Sequence, residues 1–322
     1  MDYEKWCARS EDELCQIDLA EINLTAASGL PGAESLDIGA LRKKLDDCAG
    51  LVDSTIRRLW HKCGKREYRS YTPNQFRILA MVTVLQRDLG VRYNPACMTG
   101  EYDARDARNC FIHGPLTGHG GTCASLPFLY VSIGRRLGFP LFVVQAKEHL
   151  FARWDGEGER FNIEATQLGF EPYDDLHFLT RPRPLSAGEL RANPQFLRNM
   201  TPREELACCI AERAAVLFDN LKMSKAVKAI FFANYLSPFY FGRWAVISTA
   251  SQTVLRMQNF DRNLPWERLV SVAAPRPQTR VGRWAVEQAK KELIRHVAIR
   301  RTPKPELNDS FFNSLNQEPP HI

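Results

Sequence analysis

A glycine-rich stretch that leads into a cysteine constrains this chain more than any other feature of its sequence. Residues 118–121 read Gly-His-Gly-Gly, Thr122 and Cys123 follow, and an apolar run extends over 124–137. Glycines permit tight turns, and Pro127 falls where the first turn of a helix tolerates a residue without an N–H group. The sequence therefore predicts that Cys123 lies in the first turn of a buried helix.

A thiol at the start of a helix has distinctive chemistry. The unpaired N–H groups and the positive end of the helix dipole lower its pKa and favour the thiolate. The same N–H groups can stabilise the oxyanion that forms when the sulfur attacks a carbonyl carbon. Cys123 is therefore a candidate nucleophile, and the alternative is a small, buried core residue.

The segment after this helix predicts a strand followed by an antiparallel hairpin. Residues 140–146 are apolar and typical of a buried strand. Residues 149–154 and 160–165 flank the glycine-containing turn 155–159, which is typical of a hairpin. We expect the aromatic side chains of this hairpin to pack onto the helix of the cysteine; they are Phe151, Trp154 and Phe161.

The register of the hairpin decides whether His149 can reach Glu164. If Trp154 paired with Arg160, the two side chains would point to opposite faces of the sheet. A register slipped by one residue, with Trp154 opposite Glu159, or a bulge would bring them together. We predict the slipped or bulged arrangement, with His149 as general base and Glu164 as the group that orients its ring.

The stretch around Cys123 does not identify the second group that would donate a hydrogen bond to an oxyanion. Besides the N–H group of Cys123, the candidates are Asn109, His113 and His119, whose segment should pass near the thiol. Each has a purely structural role in the loop as its alternative. Cys110 and Cys123 with the two histidines have the residue types of a zinc site, but their spacing matches no ligand pattern. The sequence therefore predicts neither a metal site nor a cofactor.

Composition narrows the class of protein. The nine cysteines are an odd number, are scattered, and include no C-x-x-C pair, so a disulfide framework is not expected. No apolar run is long enough for a membrane span, and the charged N-terminus lacks the apolar region of a secretory signal. The net charge of +6 is modest for 322 residues. We therefore expect a cytoplasmic protein that binds neither nucleic acid nor membrane.

Apolar periodicity outlines the remaining organisation. Residues 37–60 predict an amphipathic helix with Cys48 on its apolar stripe. Thr72 and Pro73 supply an N-cap and a first helical residue for a second helix that reaches Gly90. We expect four regions: an N-terminal helical lead-in at 1–70, an α+β core at 71–185, an α-helical region at 186–301, and a disordered tail at 302–322.

Residues 207–240 match the spacing of one tetratricopeptide-type repeat. The next stretch begins with Trp244 but loses this register, so a single degenerate repeat and a plain helical hairpin both remain open. A last amphipathic helix is predicted near 284–297. The small, large and terminating residues of the repeat are Ala214, Leu217, Ala226, Ile230, Ala233 and Pro238.

Three segments, 120–123, 149–154 and 161–166, resemble the bacterial transglutaminase-like superfamily. In that family a cysteine heads a core helix, a histidine begins a strand, and an acidic residue, mostly Asp, follows. Here His149 lies 26 residues after Cys123, and Glu164 lies 15 residues after His149. The resemblance implies a papain-like α+β fold, a helix packed on a small antiparallel sheet, with a Cys-His-Glu triad.

The stretch from 106 to 130 and residues 135–138 are closer still to the SirB-one subgroup of that superfamily. This subgroup couples a transglutaminase-like core to tetratricopeptide-type helices. Many of its members have no cysteine at the position of Cys123, so this chain departs from the subgroup toward catalytic competence. The resemblance covers roughly residues 70–240.

The function that these features predict is that of a cysteine-nucleophile amide hydrolase or acyltransferase, of peptidase or transglutaminase type. It would act through a thioester on a peptide or protein. Hydrolysis or transglutamination depends on whether water or an amine reaches the thioester. The alternative is a non-enzymatic regulatory protein that uses the core as a scaffold and the C-terminal helices to bind a protein partner.

Overall fold

In the computed structural model, residues 1–99 and 101–237 are described, and they form helices around a small four-stranded antiparallel sheet. The predicted α+β fold is therefore confirmed. The expectations for Pro238, for the stretch after Trp244, for the helix near 284–297 and for the tail at 302–322 fall outside the described residues.

The N-terminal region consists of four helices, most of whose apolar side chains enter the main core. Asp2, Ser10, Asp18 and Asp37 cap them, each accepting a backbone N–H in the first turn. Cys48 is buried on the last of them, as its apolar stripe predicted. The helices are α1 (Tyr3–Cys7), α2 (Glu11–Cys15), α3 (Leu19–Ala27) and α4 (Ile38–Leu59).

The helices that lead up to the sheet follow the predicted signals. Thr72 and Gln75 form a reciprocal capping box at the start of the next helix, with Pro73 as its first residue. That helix continues as a wider turn over Val84–Asp88. The four helices are α5 (Pro73–Thr83), α6 (Ala96–Thr99), α7 (His113–Leu116) and α8 (Leu126–Arg136).

The sheet has its strands in chain order, so each pairs with the next. Its free edge at the first strand is covered by residues 196–200, whose N–H groups donate to that strand from Leu197 and Met200. The strands are β1 (Leu141–Ala146), β2 (His149–Gly156), β3 (Glu159–Ile163) and β4 (Pro172–Tyr173).

The hairpin register differs from the predicted one. Trp154 pairs with Phe161, and Gly156 pairs with Glu159, so the predicted pairing of Trp154 with Glu159 is wrong. The physical reason is a two-residue turn, in which Glu157 and Gly158 both have positive φ angles (55° and 74°). Such a turn matches the twist of the two strands and fixes their register.

This register nevertheless places His149 and Glu164 on one face. Ala152 and Ile163 form the last pair of the ladder, so the next position on the third strand corresponds to Phe151, which shares a face with His149. The observed register is shifted by one residue from the Trp154–Arg160 pairing, in the direction opposite to the predicted slip. A shift by one residue in either direction moves Glu164 to the face of the sheet that carries His149. The predicted outcome, a meeting of the two side chains, is therefore observed for a different geometric reason.

The two faces of the sheet bury different groups. Trp154 and Phe161 enter the main core, whereas Phe151 packs in a second cluster with Val144, Ala146 and Phe178. The expectation that Phe151 packs toward the helix of the cysteine is wrong, because it alternates with Trp154 along the strand. Phe178 belongs to the short helix α9 (Asp175–Thr180).

A helical hairpin ends the described chain. It follows the short helix α10 (Ala187–Ala192) and consists of α11 (Pro202–Asp219) and α12 (Met223–Leu236). Its repeat-type apolar residues are buried, which suits a degenerate repeat and a plain hairpin equally. Over residues 1–99 and 101–237, no helix has both the length and the apolar character needed to span a bilayer.

Candidate active site

Cys123 lies in a turn directly before α8. The helix begins at Leu126. Cys123 therefore lies three residues before the helix, whereas the sequence predicted it in the first turn. The carbonyl of Thr122 still accepts the N–H groups of Ser125 (3.1 Å) and Leu126 (2.9 Å), so the turn runs into the helix. The Cys123 side chain is partly exposed and therefore accessible to a reactant.

Two hydroxyl groups anchor this turn to the neighbouring loop. The side chains of Thr122 (2.8 Å) and Ser125 (3.2 Å) both donate to the backbone carbonyl of Asn109. The N–H group of Thr122 donates to the hydroxyl of Ser125 (2.9 Å). Within the described chain no acceptor binds the N–H group of Cys123, which is therefore free to bind an oxyanion.

The glycines before the cysteine are required by close packing. Gly120 has a φ of +90°, and a Cβ atom there would lie 2.9 Å from Cα of Asn94. A Cβ atom on Gly121 would lie 2.8 Å from Ser125 and from Leu126. These contacts explain why the sequence carries glycine at both positions.

His149 connects the cysteine to Glu164. Its Nε2 atom lies 2.6 Å from Oε2 of Glu164, and its ring also interacts with the thiol of Cys123. Because Nε2 faces the carboxylate, Nδ1 is left for the thiol. The structure thus brings together the three residues that the sequence placed on three separate segments.

Thr166 holds the carboxylate of Glu164 in place. Oε1 of Glu164 accepts the N–H group of Thr166 (2.9 Å) and its hydroxyl (2.6 Å). The other oxygen is thereby left for His149. Thr166 was not singled out from the sequence, although a hydroxyl residue two positions after an acidic one is a usual signal for this local hydrogen bond.

The electrostatics of the group favour charged side chains. Burial by itself lowers the pKa of His149, but hydrogen bonds and charge interactions with Cys123 and Glu164 raise it to about 10. Burial raises the pKa of Glu164, but the hydrogen bonds from His149 and Thr166 outweigh this and hold the pKa below its usual value. The imidazole is therefore protonated and the carboxylate ionised at neutral pH.

An ion pair between the buried Arg153 and the partly exposed Asp175 holds an aromatic side chain near the ring of His149. Arg153, on the same strand and face, is fully buried and lies 2.5 Å from Asp175, at the start of α9. This contact fixes α9, whose Phe178 stacks on Phe151 (3.7 Å between centroids) and faces the His149 ring (6.1 Å). An arginine flanked by the apolar residues Ala152 and Trp154 of the strand was the available sequence signal for such a partner.

The three predicted donor candidates engage other groups. Asn109 donates to the carbonyl of Asp103 (2.8 Å), and its own carbonyl oxygen accepts from His119 (3.2 Å) and Asn94 (2.6 Å). This group lies beside the turn of the cysteine, because Asn109 also binds that turn through its backbone.

His113 binds a carbonyl outside that group. Its Nε2 atom donates to the carbonyl of Gly32 (3.1 Å), and burial lowers its pKa. Among the described residues, no three His, Cys, Asp or Glu side chains are grouped so that they could hold a metal ion.

Comparison with protein families finds a match that covers the candidate site. The family model described as Transglutaminase-like superfamily matches residues 40–210, more than half of the chain. The matched range includes Cys123, His149 and Glu164. No curated protein and no solved structure matches the chain. The chain belongs to the transglutaminase-like superfamily.

Proposed function

We propose that the protein is a cysteine-dependent hydrolase or acyltransferase that acts on an amide of a peptide or protein through a thioester. The observation that carries the proposal is the contact between His149 and Glu164, together with the hydrogen bond between the same ring and the thiol of Cys123. Members of the superfamily are in general cysteine-dependent enzymes acting on proteins or peptides, which supports the same reading.

The first half of the reaction starts from the protonated imidazole of His149, which interacts with the sulfur of Cys123. The thiolate of Cys123 attacks the carbonyl carbon of the amide, and the negative charge moves to the carbonyl oxygen. The free N–H group of Cys123 stabilises this oxyanion. When the tetrahedral intermediate collapses, the imidazolium of His149 gives its proton to the departing amine, and a thioester remains on the sulfur.

The second half resolves the thioester. His149, now neutral, accepts a proton from water or from a second amine as this attacks the thioester carbon. Water gives a carboxylic acid, and an amine gives a new amide. Glu164 remains ionised throughout and stabilises the imidazolium each time it forms.

The finer family placement is part of the same proposal. We place the chain near the SirB-one subgroup, on the motif around 106–138 and on the helical hairpin α11–α12. We also propose that this protein, unlike the cysteine-less members, has kept the nucleophile.

The test is acylation of Cys123 by a small activated ester, p-nitrophenyl acetate, followed by mass spectrometry of the intact protein and its peptides. We expect one acetyl group on Cys123 in the wild type and none at that position in Cys123→Ala. Addition of a fluorescent primary amine then separates hydrolysis from transfer to an amine. If the wild type neither gains an acetyl group at Cys123 nor releases p-nitrophenol faster than Cys123→Ala, the protein acts instead as a non-enzymatic scaffold.

A further inference from the structure

A short backbone pairing places Tyr93 beside the turn of the cysteine. The N–H group of Gly121 donates to the carbonyl of Arg92 (2.9 Å), and the N–H group of Asn94 donates to the carbonyl of Gly121 (2.8 Å). Tyr93 is therefore fixed opposite Gly121, two residues before Cys123. Its side chain is partly buried and packs against the main core.

The Tyr93 hydroxyl lies among the reactive groups. It hydrogen-bonds with the thiol of Cys97, in α6, and it interacts electrostatically with Cys123 and, more weakly, with Glu164. Burial, together with the interactions with Cys97, Cys123 and Glu164, raises the pKa of Tyr93 to about 12. The hydroxyl therefore keeps its proton at neutral pH and can act as a hydrogen-bond donor.

The position suits the oxygen of a tetrahedral intermediate. That oxygen is two bonds away from the attacking sulfur. A group that donates a hydrogen bond to the oxygen must therefore lie close to the sulfur without being hydrogen-bonded to the sulfur itself. Tyr93 fits this requirement, since it is near Cys123 but hydrogen-bonds to Cys97. The side-chain donors of Asn109 and His113 are instead engaged by the carbonyls of Asp103 and Gly32, as described above.

We propose that the Tyr93 hydroxyl is the second donor to the oxyanion, beside the N–H group of Cys123, and that Cys97 is a positioning residue that orients this hydroxyl. The proposal rests on the proposed function, because it requires that Cys123 attacks a carbonyl. When a carbonyl is attacked, the hydroxyl turns its hydrogen from the sulfur of Cys97 to the new oxyanion and strengthens its hydrogen bond as charge develops.

Two reactions of the same thiol test this role. Alkylation by iodoacetamide is a direct displacement that forms no oxyanion, whereas acylation by p-nitrophenyl acetate passes through one. We expect Tyr93→Phe to slow the acylation of Cys123 about 10²-fold and to change its alkylation less than about twofold, since the thiolate is untouched. Tyr71→Phe is the matched control, because its hydroxyl makes one long bond (3.4 Å) to Phe170; both rates should stay at the wild-type level.

Variants of Cys97 test the positioning and do not depend on the folding of Tyr93→Phe. Cys97→Ala should slow acylation alone, and Cys97→Ser, which keeps a hydrogen-bonding atom, should restore it. Acylation of Tyr93→Phe at the wild-type rate would overturn the role of Tyr93 while leaving Cys123 as nucleophile. Equal losses in both reactions would also overturn it. A wild-type Cys123 that reacts with neither reagent would overturn the proposed function and this role together.

Discussion

Removal of the charge on Glu164 should lower the pKa of His149 by about 1–2 units. Glu164→Gln keeps the size of the side chain and can still accept from Thr166, but it replaces a charge-assisted hydrogen bond of 2.6 Å to Nε2 with a neutral contact. Hydrogen bonds to charged groups contribute about 1.5–3 kcal/mol. At about 1.4 kcal/mol per pKa unit, this loss corresponds to a fall from about 10 in the wild type to about 8–9 in the variant.

The assay is an NMR titration of the His149 ring nitrogens in the two proteins. Glu157→Gln, the same substitution at an exposed position of the same hairpin, is the matched control and should leave the pKa of His149 unchanged. A wild-type pKa near the ordinary value of 6.5 would refute the reasoning. So would an equal pKa in Glu164→Gln and the wild type.

Three further predictions concern stability, measured by urea unfolding. Gly120→Ala should cost about 3 kcal/mol, because it adds a clash with the backbone to a strained φ; Gly118→Ala, which has φ +86° and open space, should cost only about 1 kcal/mol. Arg153→Met should cost about 1.5–3 kcal/mol, because it removes the charged hydrogen bonds that the buried guanidinium makes to Asn162, to the carbonyl of Leu197 and to the partly exposed Asp175, and a loss below 1 kcal/mol would contradict this. The stability advantage of the wild type over Glu164→Gln should be largest between pH 4.5 and 6.5, the ordinary pKa values of Glu164 and His149. It should shrink as the pH rises toward the raised pKa of the histidine, and as it falls through the lowered pKa of the glutamate; a flat pH profile would contradict the ion pair.

The elements around the site could be predicted from local signals. Thr72 and Pro73 specify a helix start, and the glycines before Cys123 specify a turn, because both effects act within a few residues. The contact between His149 and Glu164 could be predicted only by counting which residues of the hairpin share a face of the sheet. The register itself depended on the two-residue turn at Glu157 and Gly158. Glu157 has a positive φ there, which the sequence does not predict for a residue other than glycine.

The groups that complete the site could not be predicted, because they come from distant parts of the chain. Tyr93 reaches the cysteine through backbone pairing with Gly121, and no side-chain pattern records such a pairing. Phe178 reaches His149 because Arg153 binds Asp175, an ion pair across 22 residues. Side chains that are brought together by tertiary packing leave only weak traces in a single sequence.

The most direct test of the central claim is the pH dependence of alkylation by iodoacetamide, with each modified cysteine located by mass spectrometry, in the wild type and in His149→Ala. We expect Cys123 to react fastest of the nine cysteines well below the ordinary thiol pKa of about 8.5. This reactivity should be lost without His149, while Cys15, which is exposed and distant in sequence, should react equally in both proteins. If Cys123 reacts no faster than Cys15, or reacts equally fast without His149, the thiolate–imidazolium pair does not exist and the account is wrong.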